Sequence, residues 1–121
     1  MTQNLITLNI SDSALNEIDA AVTTLEQHFA DYLKLSPDER KSILKMGDKT
    51  EAFCRQTIMV AEQNTHNLPA SLLLSKAQSD LRSLDQLRPR LHRLRELLGK
   101  GDDSEMALGS DIYAFCLNAY V

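Results

Sequence analysis

Apolar residues recur along this chain at the three- and four-residue intervals of an α-helix in several separate stretches, and alternate with polar ones in one. The longest helical pattern occupies residues 71–98. Leu74, Ala77, Leu81 and Leu84 step by 3, 4 and 3, and Leu87, Leu91, Leu94 and Leu98 by 4, 3 and 4. Such a stripe is the buried side of a helix that lies along other helices. The step from Leu84 to Leu87 is also 3, so the stripe shifts by part of a turn beside Pro89. Proline there removes one backbone donor and crowds the carbonyl of Asp85, which predicts a kink rather than two helices.

The chain before this stretch supplies partners. Residues 1–10 are not helix-like: Ile6, Leu8 and Ile10 alternate with Thr7 and Asn9. They form either an extended arm or a strand that pairs with another copy. A first helix is expected over residues 11–34, capped by Ser11, with Ile10 and Leu15 placed as a hydrophobic staple. Leu15, Ile18, Val22, Leu25, Phe29 and Tyr32 make its seam at steps of 3, 4, 3, 4 and 3. Ser36-Pro37-Asp38-Glu39 combines a Ser cap, a first-turn proline and a reciprocal Glu, opening a short helix over 37–46 that Gly47 ends. Asp48 with Glu51 restarts a helix over 49–64. After the central helix, Gly99-Lys100-Gly101 reads as a stop and Asp102 with Glu105 as a new cap, for a last helix over 103–121.

These elements predict an all-α fold. The expected architecture is a four-helix up-down-up-down bundle with one extra short helix and an extended N-terminal arm (1–10), the bundle forming one domain over 11–121. At 121 residues with 43% apolar content, the chain has material for a core, and without tryptophan that core is aliphatic. Cys54 and Cys116 lie on separate predicted helices without CxxC spacing, so free, buried thiols in a reducing cytoplasm are expected. The first ten residues lack the pattern of a signal peptide, and no apolar run approaches the ~20 residues of a membrane span. The expected location is cytoplasmic.

Charge changes the picture only locally. The net charge is −4, yet residues 82–100 carry six bases and two acids, whereas residues 101–121 carry four acids and no base. The candidate anion- or partner-binding residues are Arg88, Arg90, His92, Arg93 and Arg95, with Arg82 nearby. Arg88, His92 and Arg95 share one side of a helix by their spacing. They form either a ridge able to hold phosphates through paired N–H donors or the solvated side of an amphipathic helix. No aromatic residue interleaves them for base stacking.

Other chemistry finds little footing. Di-iron bundles require Glu-x-x-His elements, and none occurs; His28, His66 and His92 stand on different segments, so no metal or cofactor is expected. Phosphate loops, dinucleotide fingerprints and nucleophile elbows are missing. Gly109-Ser110-Asp111 reads as a packing glycine beside an exposed acid. A pocket at the Pro89 kink, with His92 and Tyr113, is the weakest expectation.

The segments GDKTEAFCRQ (47–56) and MALGSDIYAFCLNAY (106–120), flanking a leucine-rich helix with Leu87-Arg88-Pro89, resemble a set of small bacterial all-helical proteins of unknown function. The resemblance implies a helical bundle and brings no activity. It also implies a chain that continues past Val121 or docks its last helix there. The function expected is a non-enzymatic, self-associating or protein-interaction module. The alternative is a nucleic-acid or phosphate-ligand binder working through the arginine-rich face.

Overall fold

A computed structural model describes residues 3–70 and 72–120. Ser71, the first residue of the leucine-rich stretch, lies outside the described residues, as do Met1, Thr2 and Val121. The element order is α1 (Asp12–Phe29), α2 (Pro37–Ser42), α3 (Asp48–Gln63), a 3₁₀ turn (Thr65–Asn67) and α4 (Leu74–Ala119). No strand occurs among the described residues.

The start signals behave largely as their chemistry dictates. Ser11 Oγ accepts the Ala14 N–H at 3.1 Å, satisfying one donor that the first turn of α1 leaves free. At α2 the capping box closes both ways: Ser36 N–H donates to Glu39 Oε1 at 3.0 Å and Glu39 N–H to Ser36 Oγ at 3.2 Å. The Ser36 backbone N–H, more than its hydroxyl, holds the Glu39 carboxyl below the ordinary value. For α3 the cap is Gly47, with no side-chain bond, and Asp48 is the first helical residue. Asp48 therefore acts on the exposed N–H groups as a first-turn charge rather than as the expected cap.

Two helix ends differ from expectation. α1 stops at Phe29 rather than Lys34. Tyr32 N–H turns back to the Phe29 carbonyl at 2.9 Å, and the two rings lie 4.5 Å apart. The last step of the seam is thus made across a turn. α2 ends at Ser42, short of residue 46.

The largest difference lies in α4. The expected stop at Gly99-Lys100-Gly101 and the cap at Asp102 do not form: one helix of 46 residues runs from Leu74 to Ala119 through both glycines and Pro89. Two glycines cost a helix about 2 kcal/mol together, an amount that continuous hydrogen bonding on both sides offsets. No described glycine has a positive φ, and a Cβ added at Gly99 or Gly101 meets nothing within 4 Å. The double variant Gly99→Ala/Gly101→Ala is expected to gain about 1–2 kcal/mol in urea denaturation. A helix broken at this point would lose stability instead.

The chain divides into two compact units. One comprises the described residues up to Ser42 and those from Gly99 on; the other is Ile43–Leu98. In the second unit most of the predicted stripe is visible: Leu74, Ala77, Leu81, Leu84, Leu87, Leu91 and Leu94 are half-buried, whereas Leu98, expected as its last member, is exposed. On α3, Glu51, Cys54, Arg55, Ile58 and Ala61 are half-buried in turn. Among the described residues, however, none is fully buried.

Candidate interaction surface

In the unit Ile43–Leu98, two charge clusters fix how α3 meets α4. Arg55 holds Asp85 through two bonds, Nη1–Oδ2 at 3.1 Å and Nη2–Oδ1 at 2.5 Å, and its Nε donates to Glu51 Oε2 at 3.0 Å. Arg88 Nη1 meets the other Glu51 oxygen at 2.8 Å. Position 51 faces 88 and 55 faces 85, so the helices are antiparallel, with Ile58 falling opposite Leu81 and Ala61 opposite Gln78. Arg88 and then Arg55 hold the Glu51 carboxyl below its ordinary value, and Arg55 does the same to Asp85. Both acids therefore stay charged through the ordinary carboxylate range. Their stabilising effect is present above it and is lost as pH falls through the depressed values.

The predicted arginine residues thus separate. Arg88 is bound within the hairpin. His92 Nε2 lies 2.9 Å from Glu96 Oε1, one turn along the same helix. Arg90 donates from Nη1 to the Gln86 carbonyl at 2.7 Å, beside the hydrogen-bond ladder that Pro89 interrupts. Among the described residues Arg82, Arg93 and Arg95 make no ion pair. At about 100° per residue, Arg82, Arg90 and Arg93 lie within ~80° of one another, on the side of α4 away from its half-buried stripe. Arg95 falls nearer the stripe. The arginines that make no ion pair and share a side are therefore Arg82, Arg90 and Arg93, not the Arg88–His92–Arg95 side that spacing alone brings together. Arg82 and Arg90 border a shallow hollow of about 460 Å³ with Glu62 and Asp85.

In the other unit the N-terminal segment is tied to α4 by one carboxylate. Asp111 accepts the Leu5 N–H on both oxygens at 3.0 Å and the Ile6 N–H at 3.2 Å. Gln3 Nε2 donates to Asp111 at 3.0 Å and to Ser110 Oγ at 2.7 Å. The Leu5 N–H chiefly holds this carboxyl below its ordinary value. Within the single chain residues 3–10 form neither helix nor strand and are held to α4 through Asp111. Asp111, expected to be an exposed acid, is the residue that sequence reading missed. Its only signal was an acid on the otherwise apolar or small side that Ala107 and Ala114 mark.

Apolar side chains remain open on several faces. Along the last part of α4, Ser104, Ala107, Leu108, Asp111 and Ala114 are half-buried. The opposite side presents Met106 (74% exposed), Tyr113 (66%) and Leu117 (62%) to solvent. On α3 the side away from α4 carries Phe53 and Val60, which with Asn64, Asn67 and Leu68 line an open hollow of about 500 Å³. The α1 seam is exposed as well, from 39% at Leu25 to 52% at Ile18. Neither cysteine is buried as expected; Cys54 is half-buried and Cys116 exposed, both free.

Among the described residues no group of three or more His, Cys, Asp or Glu is placed to hold a metal, and no helix is long and apolar enough to cross a membrane. No protein-family model matches the chain, and no characterised protein or solved structure is significantly similar to it. The resemblance to small bacterial helical proteins rests on its two segments alone.

Proposed function

We propose that this chain is a non-enzymatic helical interaction module of the cytoplasm that self-associates, and that four-helix packing is completed when the α3–α4 hairpins of two copies come together. One observation carries the reading: no described side chain is buried, although the apolar rows are long and regular. Such rows call for a covering surface from another chain. Apolar faces on α3, on α1 and on the end of α4 are suited to supply it.

Sedimentation velocity combined with far-ultraviolet circular dichroism tests this. Dilution from about 100 μM to 0.1 μM is expected to shift the protein from assembled to single chains with loss of helix, because folding and association are linked. A fully helical, strictly monomeric species across that range would refute it.

A second reading, a binder of nucleic acid or another phosphate ligand, is favoured by the Arg82–Arg90–Arg93 ridge, whose arginines make no ion pair among the described residues. It requires binding that weakens steeply with salt.

A further inference from the structure

Resting on the self-associating reading, we infer that the arginine ridge of α4 in one copy is the dock for the acidic side of α1 in a second copy, with the reciprocal contact closing a two-fold dimer. The two surfaces fit in sign. α1 carries four acids and neither Lys nor Arg, while residues 82–100 carry a surplus of four positive charges.

They also fit in spacing. Asp12, Asp19 and Glu26 recur every seven residues, so they lie on one side of α1 within about 40° of arc, spanning ~21 Å. That row flanks the exposed seam of Leu15, Ile18, Val22 and Leu25, where the flanking charges of paired helices set partner and direction. Arg82 and Arg93 stand ~16 Å apart along α4 with Arg90 between them, a length matching the acidic row to within one helical turn. Leu97, on the same side of α4, is 65% exposed and extends the ridge with an apolar end for the seam to meet.

Both sets lack counterions. Among the described residues none of Asp12, Asp19, Glu26, Arg82, Arg90 or Arg93 forms an ion pair. Like charge disfavours α1 meeting α1 edge to edge and ridge meeting ridge, so the contact joins different surfaces of the two copies. Two such contacts related by a two-fold axis use both charged surfaces of both chains. A polyphosphate partner would cover the arginines but gives the acidic row no role, and the ridge has no aromatic side chain on which bases could stack.

Two full-length variants test the dock. In the first, Asp12→Lys, Asp19→Lys and Glu26→Lys reverse α1; in the second, Arg82→Glu, Arg90→Glu and Arg93→Glu reverse the ridge. Each alone is expected to raise the dimer dissociation constant by roughly 100-fold, from about half a kilocalorie per mole for each of six exposed pairs. Mixed in equal amounts they are expected to recover a one-to-one dimer, because both reciprocal contacts become attractive again. Sedimentation velocity with one variant fluorescently labelled reads the recovery, and it requires a contact between chains.

Absence of recovery on mixing would overturn the dock, as would single variants that dimerise like the parent. In the second case self-association itself would stand, through other faces. A parent chain monomeric at every concentration would remove both. A parent that stays monomeric but binds a labelled single-stranded oligonucleotide through the ridge would overturn the dock in favour of the nucleic-acid reading.

Discussion

Replacing Pro89 with alanine is expected to stabilise the protein by about 2 kcal/mol, raising the melting temperature by roughly 8 °C. Pro89 is exposed and sits inside a helix that continues on both sides of it. Its missing N–H leaves the Asp85 carbonyl without the usual partner, and its ring crowds that carbonyl. In an isolated helix the difference from alanine is about 3 kcal/mol. Part of that is withheld, because the leucine stripe changes register between Leu84 and Leu87, beside the proline. Measured by thermal denaturation at fixed protein concentration, a gain of this size identifies the proline as tolerated strain. A loss would mean that the packing of the second unit depends on the proline.

What could be read beforehand follows from how far each interaction reaches. The stripe was legible because it depends only on the helical repeat: seven of its eight members, Leu74 to Leu94, are half-buried as spaced, and the last, Leu98, is exposed. The Ser11 and Ser36–Glu39 caps were legible because their bonds close within three residues. Gly99 and Gly101 misled for a physical reason: glycine permits a helix to end without compelling it to, and the residues on both sides favour helix. Asp111 could not be placed from sequence, since its partners Leu5 and Ile6 are over a hundred positions away. The same holds for Arg55, whose bond to Glu51 is one turn away and readable, while its bond to Asp85 depends on the antiparallel register. Helical spacing brought Arg88, His92 and Arg95 together, but which arginines keep their charge unneutralised depended on what α3 places opposite them.

Substituting Leu84 with aspartate should then be the most damaging single change in the hairpin, costing about 3 kcal/mol. Leu84 is half-buried in the stripe that faces α3, next to Asp85, which Arg55 holds, and about one turn before Arg88, which Glu51 holds. Removing its side chain from the contact forfeits about 1 kcal/mol of apolar burial. Putting a carboxylate in its place adds a desolvation cost of about 2 kcal/mol, since an acid beside Asp85 would have to compete for the same arginine. Against a total stability of roughly 5–15 kcal/mol for a domain, that is a large share. The neighbouring change Ser83→Asp introduces the same charge one position away, on the exposed side, and is expected to stay within about 0.5 kcal/mol of the parent. Urea denaturation of the two variants side by side separates a facing effect from a charge effect. Equal losses would mean that α4 does not turn its leucines toward α3. A large loss confined to Leu84→Asp, with Leu84→Met close to the parent, ties the stability of the second unit to this one seam.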